Sequence, residues 1–497
     1  MRGRDRPASA AAGAVRGGRG PRLNRRRALA AAAGAVGAAV LSGCGTAVRP
    51  TAGSRVVTLV AALDVPATDL LGTPSGRTAL YEQVLRQFTA AHRGLAVRVV
   101  PYTPTAAKQA AILAGTGPDV FGDAAPSYPG YVQQNLLLPL NAYLRRDNLS
   151  LSLWSPTVVK ALQTAHGVFA MSRGLDSYVF ALNLSLFDRL GVAYPAPTWT
   201  HAELAAAAAR IASHRGGSPR YGVQFQGGPA GFLGALQTPV VGFGGNLTNT
   251  ARTRQTLSSP AGIRGAKWLV DSLLSPGIGT IGGPSISLLN GNLGIQEIQQ
   301  VDLLSLYQQW RSNFKWVLLP PPVYPVRRSG GAAANFWAIS GGTRQPEATW
   351  TLLTWLGAGT TFERFYMKAF LMPPALNRLM PEWQATVDAV VPGLKGKGIE
   401  WFTQSTQHGW GVAEPWFAYA NTQVQQIDAT WWGQLRGRQA SLSSALKGAD
   451  QQANALMAAQ ASQPIPSLHG QQAAVQRGRR RLGAMFAAGA QGIPGTG

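Results

Sequence analysis

Cysteine is all but absent. The 497-residue chain carries one, Cys44, so no intramolecular disulfide can form and a core has to hold without staples. Acidic residues are also scarce, 21 against 45 lysines and arginines, for a formal net charge of +24. Such an excess points to nucleic acid only where basic residues cluster with aromatics on one element. Here nine arginines and one aspartate fall within residues 1–43, Arg477, Arg479, Arg480 and Arg481 lie near the end, and the rest are scattered between apolar runs. Nucleic acid is therefore not expected as a partner.

Catalytic signatures are missing as well. No HExxH and no G-x-S-x-G occurs, and the six histidines are far apart, so neither a metal nor a cofactor is expected. His201-Ala202-Glu203 lacks the cysteine pair that would make it a zinc deaminase motif. Gly277-Ile278-Gly279-Thr280-Ile281-Gly282 satisfies a dinucleotide fingerprint by letter, yet it follows Ser275-Pro276 rather than a strand, and Gly283-Pro284 blocks a helix after it. It reads as a loop. Two carboxylates for glycoside hydrolysis could be drawn from Asp176, Glu297, Glu400 or Glu414, whose separation sequence does not give. The expectation is that the chain is not an enzyme, with a secreted polysaccharide hydrolase or a cell-surface sensory or structural protein as alternatives.

What is present begins with the leader. Asn24-Arg25-Arg26-Arg27 precedes fourteen small or apolar residues, Ala28 to Leu41, the charged and apolar regions of an export signal too short to span a bilayer. Leu41-Ser42-Gly43-Cys44 resembles the lipobox of bacterial lipoproteins. That resemblance implies a signal peptide over 1–43, lipid on Cys44, and anchorage to the outer face of the cytoplasmic membrane, since two or three acyl chains hold a protein stably there. The paired arginines resemble a twin-arginine signal, with Asn24 and Ala28 departing from it. Residues 44–54 read as a tether.

The 454 residues after the leader exceed what one core usually serves, so two lobes are expected. Residues 55–60 read as a buried strand, Leu80, Val84, Leu85 and Phe88 mark a helix over about 78–91, and Leu95 to Val100 is a second strand, implying a parallel pair with a helical crossover. A helix over about 104–114 leads through glycines to a third strand at Val120-Phe121. Thr200 and Glu203 form a capping box starting a helix that runs to Ile211. Pro346 suits the first turn of another helix that ends at Gly357. Asn135, before Leu136-Leu137-Leu138-Pro139-Leu140, is a residue type that tolerates a left-handed backbone. Residues 463–497, rich in Gly, Ala, Gln and Arg, read as a disordered basic tail.

Ala114-Gly115-Thr116-Gly117-Pro118-Asp119-Val120-Phe121 with Leu138-Pro139-Leu140, Gly167 to Phe187, Pro197-Thr198-Trp199-Thr200-His201-Ala202-Glu203-Leu204, Gly244-Gly245-Asn246, Pro346 to Trp350 and Met372-Pro373-Pro374-Ala375 stand in one order. In that order they resemble the extracellular solute-binding proteins of family 1, the maltose-binding-like receptors of ABC importers. Asn135 stands where that family usually has glycine, which takes the same left-handed backbone. The resemblance implies an α/β, two-lobe periplasmic-binding-protein-like fold (type II) with a ligand cleft between lobes joined by crossing segments near 170–176, 319–325 and 357–361. Lobe 1 would comprise 55–170 and 325–358, and lobe 2 would comprise 171–324 and 359–462. The implied partners are a small solute, expected to be a mono- or oligosaccharide, and the permease subunits of an importer, with the chain itself a monomer.

Fourteen tryptophans, eleven of them after residue 300, can mostly be core, and a few could face pyranose rings. By resemblance, Asp123, Ala124 and Ser127 follow the third strand at the cleft edge, and Asp176 and Tyr178 fall in the first crossing. Phe232 corresponds to a cleft aromatic. Asn335 and Trp337 follow the pair Gly330-Gly331, and Trp410 sits in a Gly-flanked loop. Trp416 and Phe417 resemble the aromatic cluster that stacks on sugar. Gly291 to Arg311, which holds Glu297, departs from the family pattern in a stretch that contributes to the cleft in relatives.

Overall fold

The apolar runs at the start of the body form Val57–Ala62 (β1), Leu95–Val99 (β2) and Val120–Ala124 (β3), with β1 parallel to both others. The intervening helices are Pro74–Ala91, which begins four residues earlier than its apolar stripe suggests, and Thr105–Leu113. The computed structural model describes residues 56–63, 74–101, 104–164, 166–213, 221–227, 231–282, 287–311, 313–413 and 415–462. The export segment, Cys44, the tether, Glu414 and the basic tail lie outside them.

Downstream come the hairpin Gln163–Thr164 (β4) and Gly167–Val168 (β5), the long Ala170–Asn183 (β6), then Tyr221–Phe225 (β7), Gly279–Ile281 (β8), Leu293–Gln299 (β9), Trp316–Leu319 (β10), Gly330–Ile339 (β11) and Gly411–Ala413 (β12). The main sheet runs β2-β1-β3-β11-β6-β9-β7-β8, with β10 on β6 and β12 on β11. Strand β6 belongs to both lobes. Its residues from Ala170 to Ser177 pair antiparallel with β11, and from Tyr178 to Asn183 it pairs with β9 and β10. The first crossing therefore falls at Ser177/Tyr178, just beyond the expected 170–176. All fourteen residues of β6 are buried, which suits a strand covered on both faces.

The capping box forms as written: Thr200 N donates to Glu203 Oε2 (2.7 Å) and Glu203 N to Thr200 Oγ1 (3.2 Å), opening the helix His201–Ser213. Pro346–Gly357 is helical, and Asn135 is left-handed at φ 54°. Two expectations fail. Gly277 to Gly282 is not all loop, because Gly279–Ile281 takes up the open backbone edge of β7 as β8, leaving Gly277 and Gly282 as positive-φ turns on either side. Residues 359–407 do not simply join the second lobe. Phe362 and Phe370 of the helix Thr360–Phe370 stack on Tyr81 of the first lobe at 6.4 and 5.4 Å, while Lys397 O accepts from Leu318 N of β10, so this block straddles the junction.

Alternation along β3 sends its side chains to two cores: Val120 enters a large cluster with Phe88, Trp337 and Phe362 that continues across the junction to Ile298 and Trp316, and Phe121 a smaller one with Tyr128, Tyr131, Phe336 and Trp416. The second lobe's core gathers Phe180, Trp199, Val223, Leu236 and Ile295. The helices Asn421–Arg436 and Leu442–Ala461 close over it, Trp432 stacking on Phe232 at 3.8 Å and Asp450 accepting from Leu257 N and Ser258 N.

Candidate functional site

Three carboxylates were expected to meet a solute, and the structure gives each an internal partner. Asp123, at the end of β3, is buried. Its Oδ2 accepts from Lys108 Nζ (2.8 Å), Thr105 Oγ1 (3.0 Å) and Tyr131 OH (3.0 Å), and its Oδ1 from Ala124 N (2.9 Å). Burial lowers the pKa of Lys108, and the nearby Asp123 partly offsets this. Asp176 on β6 accepts from Val301 N at 3.0 Å. Glu297 on β9 accepts from Gln226 N at 3.0 Å, and burial pushes it up to about 7.

The remaining expected residues are spread through the junction. Ser127 turns its hydroxyl back to Ala124 O (2.7 Å). The hydroxyl of Tyr178 accepts from Gln299 Nε2 (2.9 Å), and its ring lies so close to Gly331 that a Cβ there would enter it. Phe232 is capped by Trp432. Asn335 is buried on β11 between β3 and β6. Trp337 is fully buried, with Arg173 over its ring at 5.2 Å and Gly122 against its edge. Trp410 is half-buried between His408 and Arg328. Phe417 is wholly in the second core.

Trp416 is different. It is buried, its Nε1 donates to Ala161 O (2.9 Å), Tyr128 meets it edge-on at 5.8 Å, and the Arg252 guanidinium lies over its ring at 3.9 Å. It also lines a cavity of about 650 Å³, within the range of small-molecule sites. One wall is Pro129, Val132 and Gln133 of the helix Tyr128–Gln133, with Asn135 just past its end. A second is Lys160, Gln163, Thr164, His166 and Phe169, from the end of the helix Pro156–Leu162 and the β4–β5 hairpin. The second lobe contributes Thr250, Ala251 and Thr253, and the segment after β12 contributes Trp416, Ala418 and Tyr419.

The turn carrying Thr250 to Thr253 is fixed by Asn249, whose Oδ1 accepts from Thr253 N (2.9 Å) and Arg254 N (3.1 Å). At its apex Arg252 is left-handed (φ 58°) and half-buried. Its Nη1 donates to Ala161 O (3.1 Å) and its Nη2 to Lys160 O (2.6 Å), so a second-lobe side chain closes on the last turn of a first-lobe helix. Desolvation brings its pKa down to about 10, still a cation at neutral pH. The Gln133 amide nitrogen donates to Ala418 O.

Of the residues expected at the site, Trp416 lines this cavity. His166 and Phe169 sit inside or beside a quoted motif segment, and Ala418 and Tyr419 immediately follow Trp416, so proximity could have signalled them. Nothing in the local pattern signals Arg252. Among the described residues no group of three His, Cys, Asp or Glu could hold a metal ion, and no helix is long and apolar enough to cross a membrane.

This arrangement, two α/β lobes joined through continuous strands with a cavity between them, defines a two-lobe binding protein. Residues 73–358 match the bacterial extracellular solute-binding protein family, and the chain belongs to that family. Solved structures of the same fold include a cyclic α-maltosyl-1,6-maltose binding protein from Arthrobacter globiformis (TM-score 0.67, 16% identity, 81% of this chain and 99% of that one). Another is an ABC substrate-binding protein from Listeria monocytogenes in complex with cycloalternan (0.64, 17%, 82% and 100%). A third is the sugar-binding protein MalE from Xanthomonas citri (0.62, 16%, 81% and 98%). At these identities the likeness carries the fold. No curated protein matches the chain.

Proposed function

We propose that this chain is the substrate-binding lipoprotein of an ABC importer, capturing a saccharide in the cavity beside Trp416 and delivering it to membrane permease subunits without chemical change. The observation that carries the reading is a partly open cavity of about 650 Å³ walled by residues of both lobes, with the indole of Trp416 in its wall. A two-lobe protein of this kind works by hinge closure, the solute favouring the closed state by its differential affinity for it. The proposed anchor is lipid on Cys44, with residues 44–54 as tether and the folded body a monomer. Two of the proteins that share the fold are described with cyclic oligosaccharides, cycloalternan and cyclic α-maltosyl-1,6-maltose, which makes oligosaccharides the first solutes to try.

Calorimetric titration of the purified body with mono-, di- and oligosaccharides, paired with small-angle scattering, tests it. Stoichiometric binding with compaction is expected. Product formation without stoichiometric binding would favour the hydrolase, and no response to any saccharide at millimolar concentration would remove the reading. A Cys44→Ala variant of the full chain should appear in the culture medium rather than the membrane fraction.

A further inference from the structure

The charges around the cavity are of one sign. Among the described residues that line it none is acidic, and Lys160 stands exposed at its rim. None of the carboxylates expected to serve a solute lines it: Asp123 is held by Lys108, Thr105 and Tyr131, Asp176 accepts from Val301 N, and Glu297 accepts from Gln226 N through Oε2. Arg252, flanked by the lining residues Ala251 and Thr253, has carbonyl oxygens and an indole face for partners and forms no ion pair with a carboxylate among the described residues. Carbonyl dipoles and a ring offset a desolvated cation only in part. Arg252 does not itself line the cavity, but a half-buried guanidinium next to its wall is electrostatically incomplete, and the field it adds there is positive.

We infer that the solute taken by this cavity is anionic, a saccharide-sized molecule bearing a carboxylate, sulfate or phosphate ester, with the anion drawn by Lys160 in the lining and by the field of the adjacent Arg252, and the body packed against Phe169, Trp416 and Val132. The inference rests on the reading of the cavity as the solute site. Neutral hydroxyl groups gain most from carboxylates, which accept their protons in strong charge-assisted hydrogen bonds, and no described lining residue supplies one. The amides and hydroxyls that do line the wall, Gln163, Thr164, Thr250 and Thr253 among them, serve either class of solute equally. The cations are what discriminate.

The test is a matched panel titrated into the full mature body at low salt: di- and trigalacturonate, a sulfated disaccharide and glucose 6-phosphate, each against its neutral parent. The expected result is at least about tenfold tighter binding of one anionic member than of its parent, a gap that narrows as salt rises from about 20 to 500 mM. Lys160→Gln, at an exposed position whose fold should be untouched, should weaken the anion about fivefold and leave the neutral parent within about twofold. Arg252→Asn keeps a residue that tolerates the left-handed backbone and should weaken the anion further. Which anion binds separates the carboxylate, sulfate and phosphate cases. A neutral parent binding as tightly as every anion would overturn the inference while leaving solute capture standing, and a panel with no binding at all would overturn both.

Discussion

The two lobes meet twice, by unlike means. At the strand junction β6 runs through, paired with β11 up to Ser177 and with β9 from Tyr178, and the side chains there are fitted to atomic contact: Tyr178 against Gly331 and Asp176 on Val301 N, with Glu297 on Gln226 N just inside the second lobe. At the far side the contact is a handful of side chains, Arg252 on the carbonyls of Lys160 and Ala161, Trp416 sharing that of Ala161, and Gln133 on Ala418. The first cannot part without breaking a ladder. The second can part by rotating side chains, and the cavity lies there. The expected ligand residues sit mostly at the sealed junction, and the space sits at the separable one.

The comparison breaks most severely at Gly331. A methyl group there meets the Tyr178 ring and Gln237, both held by packing, so Gly331→Ala should cost about 1–3 kcal/mol, read as a lower denaturant midpoint at unchanged slope. A loss under about 0.5 kcal/mol would mean the junction is looser than described. An effect of similar size, spread over the titration, is expected from pH. Burial lifts Glu297 from 4.5 to about 7 and Glu363 from 4.5 to about 8, so the folded state holds more protons than the unfolded one between those values. Stability should be greatest below about pH 4.5 as far as these groups are concerned, and fall as pH rises to 7 or 8. Glu297→Gln should flatten that slope by about 1–3 kcal/mol, and a slope identical to that of the unaltered chain would remove Glu297 as its source.

The smallest effect on stability belongs to Arg252→Asn. It loses two charge-assisted hydrogen bonds and regains the hydration of a half-buried cation, terms of opposite sign that should leave less than about 1 kcal/mol. Its signature should instead be a larger radius of gyration in the unliganded protein. A loss above about 2 kcal/mol with unchanged dimensions would make this contact part of the core and not a separable one.

The strands β1 to β3 and the helix opened by Thr200 and Glu203 were legible because each rests on periodicity or on a local side-chain to backbone bond, and the left-handed Asn135 because asparagine tolerates that backbone where the resemblance implies glycine. The site was legible only at Trp416. Motif order places Asp123 at a strand end and Asp176 on a crossing strand, but it does not say that Lys108 from a neighbouring helix or Val301 N from a distant turn will take up those oxygens. The cavity walls come from a short helix, a hairpin and a turn brought together by tertiary packing, and none has a periodic signature. The block over 359–407 was assigned by order along the chain, whereas its Phe362 stripe decides where it packs.

Hydrogen exchange with a binding saccharide tests the central claim most directly. Capture in this cavity predicts new protection over 129–135, 160–169, 250–253 and 416–419, with little change along the middle of β6 and β9, which are already sealed. Protection centred on Asp176 and Glu297 with those four segments unaffected would place the solute at the strand junction and contradict the account.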